Sequence, residues 1–336
     1  MSSLNEIANM MIAKGKGVLA ADESTGTCTK RFEQVGIDPT EENRRLYRQT
    51  LLTTPDLNKY IGGIILFDET LRQSTDDNTS FADYLLEQNI LPGIKVDTGV
   101  KKLANFPEEK HTSGLDGLPE RLAEYAKLGA KFAKWREVIV IDETKNLPTT
   151  TALRTIAHEL AMYANLCQEA GLVPIVEPEL IMDGNHTIEA CKTATIKTLT
   201  AVFEELKNHK VALDGIVLKP SMVIAGKDCP QQASTEEVAK ATVEVLKECV
   251  PSEVPGIAFL SGGQTEIQAT EHLQAMNKLN PDLPWNLTFS YGRALQSSAL
   301  KYFADGQINE AQKTLIHRAE MNGTATKGDY ESNMEK

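Results

Sequence analysis

What this chain lacks narrows it quickly. None of its five cysteines (Cys28, Cys167, Cys191, Cys229 and Cys249) stands in a CxxC pair. An odd, scattered set argues against a disulfide framework or a thiolate zinc cluster, so the thiols read as reduced. The six histidines are dispersed as well, His186 and His209 being the nearest two, and no HxxxH metal pair lies on one helix. Distant residues can still converge. There is no apolar run of the ~18 residues needed to cross a bilayer. The opening stretch MSSLNEIANMMIAKGKG lacks the apolar core of a signal peptide. A net charge of −12, from 35 basic and 47 acidic residues, leaves no basic excess for sequence-independent nucleic-acid binding. The expectation is a cytoplasmic protein with neither nucleic acid nor membrane as a partner.

What is present is a chain of 336 residues, 41% apolar, which can bury a large core. Eight short runs recur: GVLAAD (17–22), IGGIILF (61–67), LPGIKVD (91–97), AKFAKWREV (130–138), GLVPIVEPE (171–179), LDGIVLKP (213–220), GIAFLSGG (256–263) and NLTFSYGR (286–293). Largely apolar runs without strict alternation fit parallel strands covered on both faces. Helix-period segments lie between them. STEEVAKATVEVLKECV opens with a capping box of Ser234 and Glu237. TALRTIAHELAMYANLCQEAG sets Ile156, Leu160, Tyr163 and Cys167 on one stripe and stops at Gly171. Eight strand–helix alternations without a linker predict one α/β domain, a single (β/α)8 TIM barrel over residues 1–321. Residues 322–336, with little apolar periodicity, are expected to form a loosely held tail. The competing doubly wound sheet wants a GxGxxG opening its first βα unit, and none is there.

A barrel carries its active site at the C-terminal ends of its strands. Those ends hold Asp22, Glu69, Lys95 with Asp97, Lys134 with Arg136, Glu177 with Glu179, Lys219, Ser261 and Arg293. Residues two apart share a face of a strand, so each pair can point inward together. Singly, a strand-end lysine is most often a solvated rim residue, and Asp22 could merely cap a turn. The set is what argues for a site, because buried charges must neutralise one another.

Lys219 asks for its own explanation, since it ends the apolar run GIVL just before Pro220. A lysine attacks a carbonyl only as the free amine, and an ordinary pKa of about 10.4 leaves little amine at neutral pH. Burial and a second cation both favour the neutral form. Lys219 has the apolar strand, and Lys134 is the candidate second cation. Phosphate binding is the companion expectation. Ser261, Gly262 and Gly263 end the seventh run, and Gly292 and Arg293 end the eighth at a helix start, offering N–H groups and a guanidinium to an anion. Arg31, Lys95 and Arg136 form a second cationic group across the mouth.

The stretches GKGVLAADESTGT, GIKVD, FAKWR, PIVEPE, LKP, FLSGGQ and LTFSYGRALQ, in this order, resemble the class I, Schiff-base-forming fructose-bisphosphate aldolases of glycolysis. The resemblance implies a metal-independent lyase without a cofactor, acting on a phosphorylated sugar, and a homotetramer. It implies that Lys219 forms the imine, that Asp22 takes the C4 hydroxyl proton, and that Glu177, with Glu179 alongside, moves protons during dehydration. Lys134 places charge beside the imine, and Arg136 follows it. Ser261, Gly262, Gly263, Ser290, Gly292, Arg293 and Arg31 match substrate contacts, mostly at the C1 phosphate; Ser24, Thr27 and Lys95 match the other phosphate. Thr27 stands where the family often has serine, and the hydroxyl survives. Many relatives end in a tyrosine that covers the mouth. Here the chain stops at GDYESNMEK, which leaves Tyr330 as a candidate replacement. Other barrel Schiff-base lyases and a scaffold without catalysis are the alternatives at this level.

Overall fold

A computed structural model describes residues 2–336. In chain order its strands are β1 (Gly17–Ala21), β2 (Ile61–Leu66), β3 (Leu91–Lys95), β4 (Gly99–Leu103), β5 (Phe106–Ser113), β6 (Phe132–Ile139), β7 (Val173–Leu180), β8 (Val217–Leu218), β9 (Gly256–Phe259) and β10 (Asn286–Tyr291). Eight of them close into a barrel in the order β1-β10-β9-β8-β7-β6-β3-β2, and neighbours run parallel. Each of the eight expected runs supplies one of these strands.

Strand alternation sorts the side chains into two cores. Leu19, Ala21, Ile94, Ala133, Trp135, Val176 and Leu218 face the helices. Val18, Ala20, Leu91, Phe132, Val173, Ile175 and Val217 fill the barrel together with Ile7, Ala8 and Met11 of the helix Leu4–Met11. Room for Phe132 inside the barrel comes from Gly93, where a Cβ would lie 2.2 Å from that ring. Continuing the interior face by steps of two leads upward to Asp22, Lys95, Lys134 and Arg136, Glu177 and Glu179, and Lys219. The lower barrel is thus apolar and its upper end charged, and the period of the strand alone makes the change.

The helices behave as their sequences require. Ser234 Oγ accepts from Glu237 N at 3.3 Å while Glu237 Oε2 accepts from Ser234 N at 2.8 Å. The stripe of Ile156, Leu160, Tyr163 and Cys167 is buried, and Gly171 has φ +75° just past the helix Thr150–Glu169. No helix among the described residues is long and apolar enough to cross a membrane.

Two features differ from the sequence reading. The antiparallel hairpin β4–β5 between β3 and β6 was not foreseen, because its strands are mostly polar and exposed. The expected tail is packed: the boundary after residue 321 falls inside the helix Ile308–Ala325. Asn322 is fully buried and accepts from Thr270 Oγ1 at 2.9 Å. Tyr330 is buried against the helix Glu266–Leu279, its N–H donating to Gln274 Oε1 at 3.0 Å, and Arg318 pairs with Glu335 at 2.5 Å. These are polar contacts to scattered partners, so they leave no hydrophobic period to read.

Candidate active site

The strand ends converge on a cleft of about 270 Å³ at the C-terminal mouth of the barrel. All of the expected site residues except Gly263 line it: Asp22, Ser24, Thr27, Arg31, Lys95, Lys134, Arg136, Glu177, Glu179, Lys219, Ser261, Gly262, Ser290, Gly292 and Arg293. Gly263 stands just behind, with φ +79° and Met182 so close that a Cβ would meet it at 2.7 Å. Six cations and four carboxylates line the cleft, so it is net positive within a chain of charge −12. That polarity suits an anionic ligand.

At the floor, Lys134 Nζ lies 2.6 Å from Asp22 Oδ2 and 3.5 Å from Glu177 Oε2, and Lys219 Nζ lies 3.2 Å from Glu177 Oε1. One carboxylate therefore spans both lysines. All four groups are buried, which only their mutual neutralisation makes tolerable. Burial alone would raise the Asp22 carboxyl, but Lys134 and then Lys219 outweigh it and lower its pKa to about 2. Burial works against the charge on Lys134, yet Asp22 and Glu177 raise its pKa well above the ordinary lysine value. Lys134 is a fixed cation. The sequence reading had placed a cation beside Lys219; the structure adds that its charge is held chiefly by Asp22, across the barrel.

Two groups of donors flank this floor. On one side, Ser261 and Gly262 follow β9, while Gly292 and Arg293 open the helix Arg293–Ala304, whose free N–H groups carry partial positive charge. Ser290, buried at the end of β10, has an Oγ without a protein partner. On the other side are Ser24 and Thr27, whose hydroxyls lie 3.2 Å apart, and Lys95, held at 2.5 Å by Asp97 Oδ1. Arg136 leans on Glu179 across neighbouring strands.

Some residues here escaped the sequence reading. Glu23 pairs with Arg31 and, at 2.7 Å, with the buried Arg48. Its signal was adjacency to Asp22; Arg48, inside an ordinary helix, had none. Gln296 donates to Ala20 O at 2.6 Å and accepts from Tyr47 Oη at 3.0 Å, bracing the strand that ends in Asp22. Two expected features lie elsewhere. Glu69 is held by Arg44 at 2.6 Å and does not line the cleft. Tyr330 is bonded to Glu335 at 2.9 Å on the outer helix layer, away from the mouth.

A family model described as fructose-bisphosphate aldolase class-I matches residues 3–336. The chain belongs to the class I fructose-bisphosphate aldolase family. It is 54% identical over 333 residues to a probable fructose-bisphosphate aldolase class 1 of Xanthomonas campestris, covering 98% of this chain and 99% of that one. A fructose-bisphosphate aldolase of Dictyostelium discoideum is 50% identical over 326 residues, covering 96% and 91%. The fold matches that of the Plasmodium falciparum aldolase, solved in complex with TRAP and a small-molecule inhibitor. The TM-score is 0.96 at 47% identity, over 98% of this chain and 95% of that one. The activity is that of the family: reversible, metal-independent cleavage of fructose 1,6-bisphosphate to dihydroxyacetone phosphate and glyceraldehyde 3-phosphate through a lysine Schiff base. A buried lysine beside a carboxylate, between two groups of hydrogen-bond donors, is what this aldolase chemistry asks of a site.

Proposed function

We propose that the family reaction runs here on Lys219, with Glu177 moving protons and Asp22 acting as the base for carbon–carbon cleavage. The Lys219 ammonium passes a proton to Glu177, 3.2 Å away, and the free amine adds to the C2 ketone. The adding nitrogen gives up a second proton to the C2 oxygen, forming the carbinolamine; Glu177 then returns the first to that oxygen, which leaves as water, and a cationic imine remains. Asp22 takes the C4 hydroxyl proton as the C3–C4 bond breaks. The bonding electrons move to C3 and neutralise the imine as an enamine, so carbanion charge never has to be borne alone. Protonation at C3 and hydrolysis of the imine release dihydroxyacetone phosphate and restore the lysine.

Lys134 keeps Asp22 ionised and its charge in place beside the imine. Glu179 and Arg136 brace the wall. The C1 phosphate is assigned to Ser261, Gly262, Gly263, Ser290, Gly292, Arg293 and Arg31, and the C6 phosphate to Ser24, Thr27 and Lys95. Anchoring both ends holds the ketone over Lys219 and lowers the entropic part of the barrier. The observation that carries this reading is the chain Asp22–Lys134–Glu177–Lys219, two carboxylates and two amines within 3.5 Å of their neighbours at the top of an apolar barrel. Assembly as a homotetramer and residence in the cytoplasm follow the family and are proposed with it. The test is cleavage of fructose 1,6-bisphosphate in excess chelator: the wild type is expected to turn over undiminished and Lys219→Met not at all. Full activity of Lys219→Met would assign the imine to another residue.

A further inference from the structure

The outer helix layer holds a constellation that the mouth does not use. His158 lies on the helix Thr150–Glu169, while Glu205 and His209 lie at the end of the neighbouring helix Ile188–Asn208. His158 Nδ1 stands 3.3 Å from Glu205 Oε2, His209 Nε2 stands 3.6 Å from the same oxygen, and the two ring nitrogens are 3.3 Å apart. Bonds of about 2.0–2.1 Å in a tetrahedral zinc site separate its ligand atoms by about 3.3–3.4 Å. Two edges of the triangle therefore match one face of that tetrahedron, and the third is about 0.2 Å longer. A tetrahedral ion centred over this face lies about 2.1 Å from each corner, within the bond lengths required.

Hydrogen bonds account for only part of this arrangement: His158 Nδ1 lies 3.3 Å from both Glu205 Oε2 and His209 Nε2, and a single ring nitrogen cannot donate to the one while accepting from the other. A carboxylate oxygen accepting from both rings would explain it, but at 3.6 Å His209 Nε2 lies beyond hydrogen-bond reach. It sits closer to the other ring nitrogen than to the acid. One cation facing three lone pairs satisfies every contact together. The surroundings support such an ion. Asn208 Nδ2 donates to Glu205 Oε1 at 3.3 Å, which leaves Oε2 free for a metal, and Asn165 Nδ2 holds the carbonyl of His209 at 3.0 Å. His209 caps a helix C-terminus, where partial negative charge favours a cation. The His158 side chain is 55% exposed, so the site is reachable and a fourth position is open to water.

We propose that His158, Glu205 and His209 form a zinc site on the outside of the barrel. Two imidazoles and one carboxylate select zinc or a neighbouring late transition metal over magnesium or calcium, which want oxygen ligands. The ion ties together the helices that follow β6 and β7, the strands that carry Lys134, Arg136, Glu177 and Glu179. None of the three ligands lines the mouth, so the clamp acts on stability and leaves the metal-independent cleavage chemistry alone.

The test uses tag-free, full-length protein stripped with chelator, dialysed and titrated with zinc chloride in a calorimeter. One ion per chain is expected, with micromolar or tighter affinity, and a rise in the thermal midpoint. His158→Ala and His209→Ala should each weaken binding at least about tenfold and remove the thermal shift. Both side chains are partly exposed, so the variants should fold, and their unchanged rate of fructose 1,6-bisphosphate cleavage verifies that. Cys249→Ser, which removes the one partly exposed thiol, should bind as the wild type does. Zinc binding that is absent, only millimolar, or indifferent to both histidine substitutions overturns the proposal.

Discussion

At the scale of the residue, the arrangement of charges gives each group a separate job and so a separate failure. Removing Lys134 leaves Asp22 and Glu177 without their shared cation. Lys134→Met is therefore expected to slow turnover and to move the acid limb of the pH–rate profile to higher pH, because Asp22 loses the cation that lowers its pKa. A profile that stays put at near-normal rate would sink the coupling. Asp22→Ser should spare the imine and block cleavage, so incubation with fructose 1,6-bisphosphate should build up a six-carbon adduct that borohydride traps. Only the three-carbon adduct, formed at the normal rate, would mean that another base does the work. Arg293→Ala should raise KM through the lost phosphate contact, by about 1.5–3 kcal/mol for a charge-assisted bond. Fructose 1-phosphate should suffer as much as the bisphosphate if that contact is to C1. Lys219, Asp22 and Glu177 were legible because each ends an apolar strand. The Lys134–Asp22 bond was not, because it joins strands far apart in sequence, and only barrel closure says how near they come.

At the scale of the element, β6 shows how one strand serves two surfaces. Its inward residues, Lys134 and Arg136, build the site, while the outward Trp135 and Glu137 meet the helix Thr150–Glu169. Burial, then the nearby Glu159, raises the Glu137 carboxyl to about 9, with Trp135 Nε1 donating to it at 2.7 Å. Oε2 of Glu137 and Oε2 of Glu159 are both buried without a partner, and His111 of β5 bonds Glu159 at 2.8 Å. An acid whose pKa is raised by folding holds more protons in the native state than in the unfolded one. Its contribution to stability is then lost as pH rises from about 4.5 towards about 9. Glu137→Gln is expected to reduce that loss, which urea unfolding at pH 6 and pH 8.5 would register as a smaller difference between the two pH values than in the wild type. An equal difference in both proteins would show that Glu137 does not set this pH dependence. The apolar strands could be read from sequence because both their faces are covered. The polar hairpin β4–β5 was missed for the converse reason: most of its side chains meet solvent and carry no pattern.

At the scale of the whole molecule, the first and last segments finish the barrel. The helix Leu4–Met11 closes its lower end, and residues 322–336 fasten the helix Ile308–Ala325 to its neighbour. Deleting residues 326–336 removes the buried Tyr330 and leaves Arg318, which is 4% exposed, without Glu335. The truncation thus removes both an ion pair and the packing of Tyr330 from the outer helix layer. The truncated chain should therefore melt earlier while still forming the imine, since Tyr330 lies outside the mouth. Unchanged melting with slowed enamine protonation would instead give the tail a part in catalysis. The convergence of His158 and His209, 51 residues apart, was equally invisible in the sequence, because the packing of adjacent helices and not a spacing brings them together. Borohydride added with dihydroxyacetone phosphate, followed by peptide mass mapping, should fix one triose phosphate per chain on the peptide containing Lys219. A label on Lys134 or Lys95 in its place would contradict it.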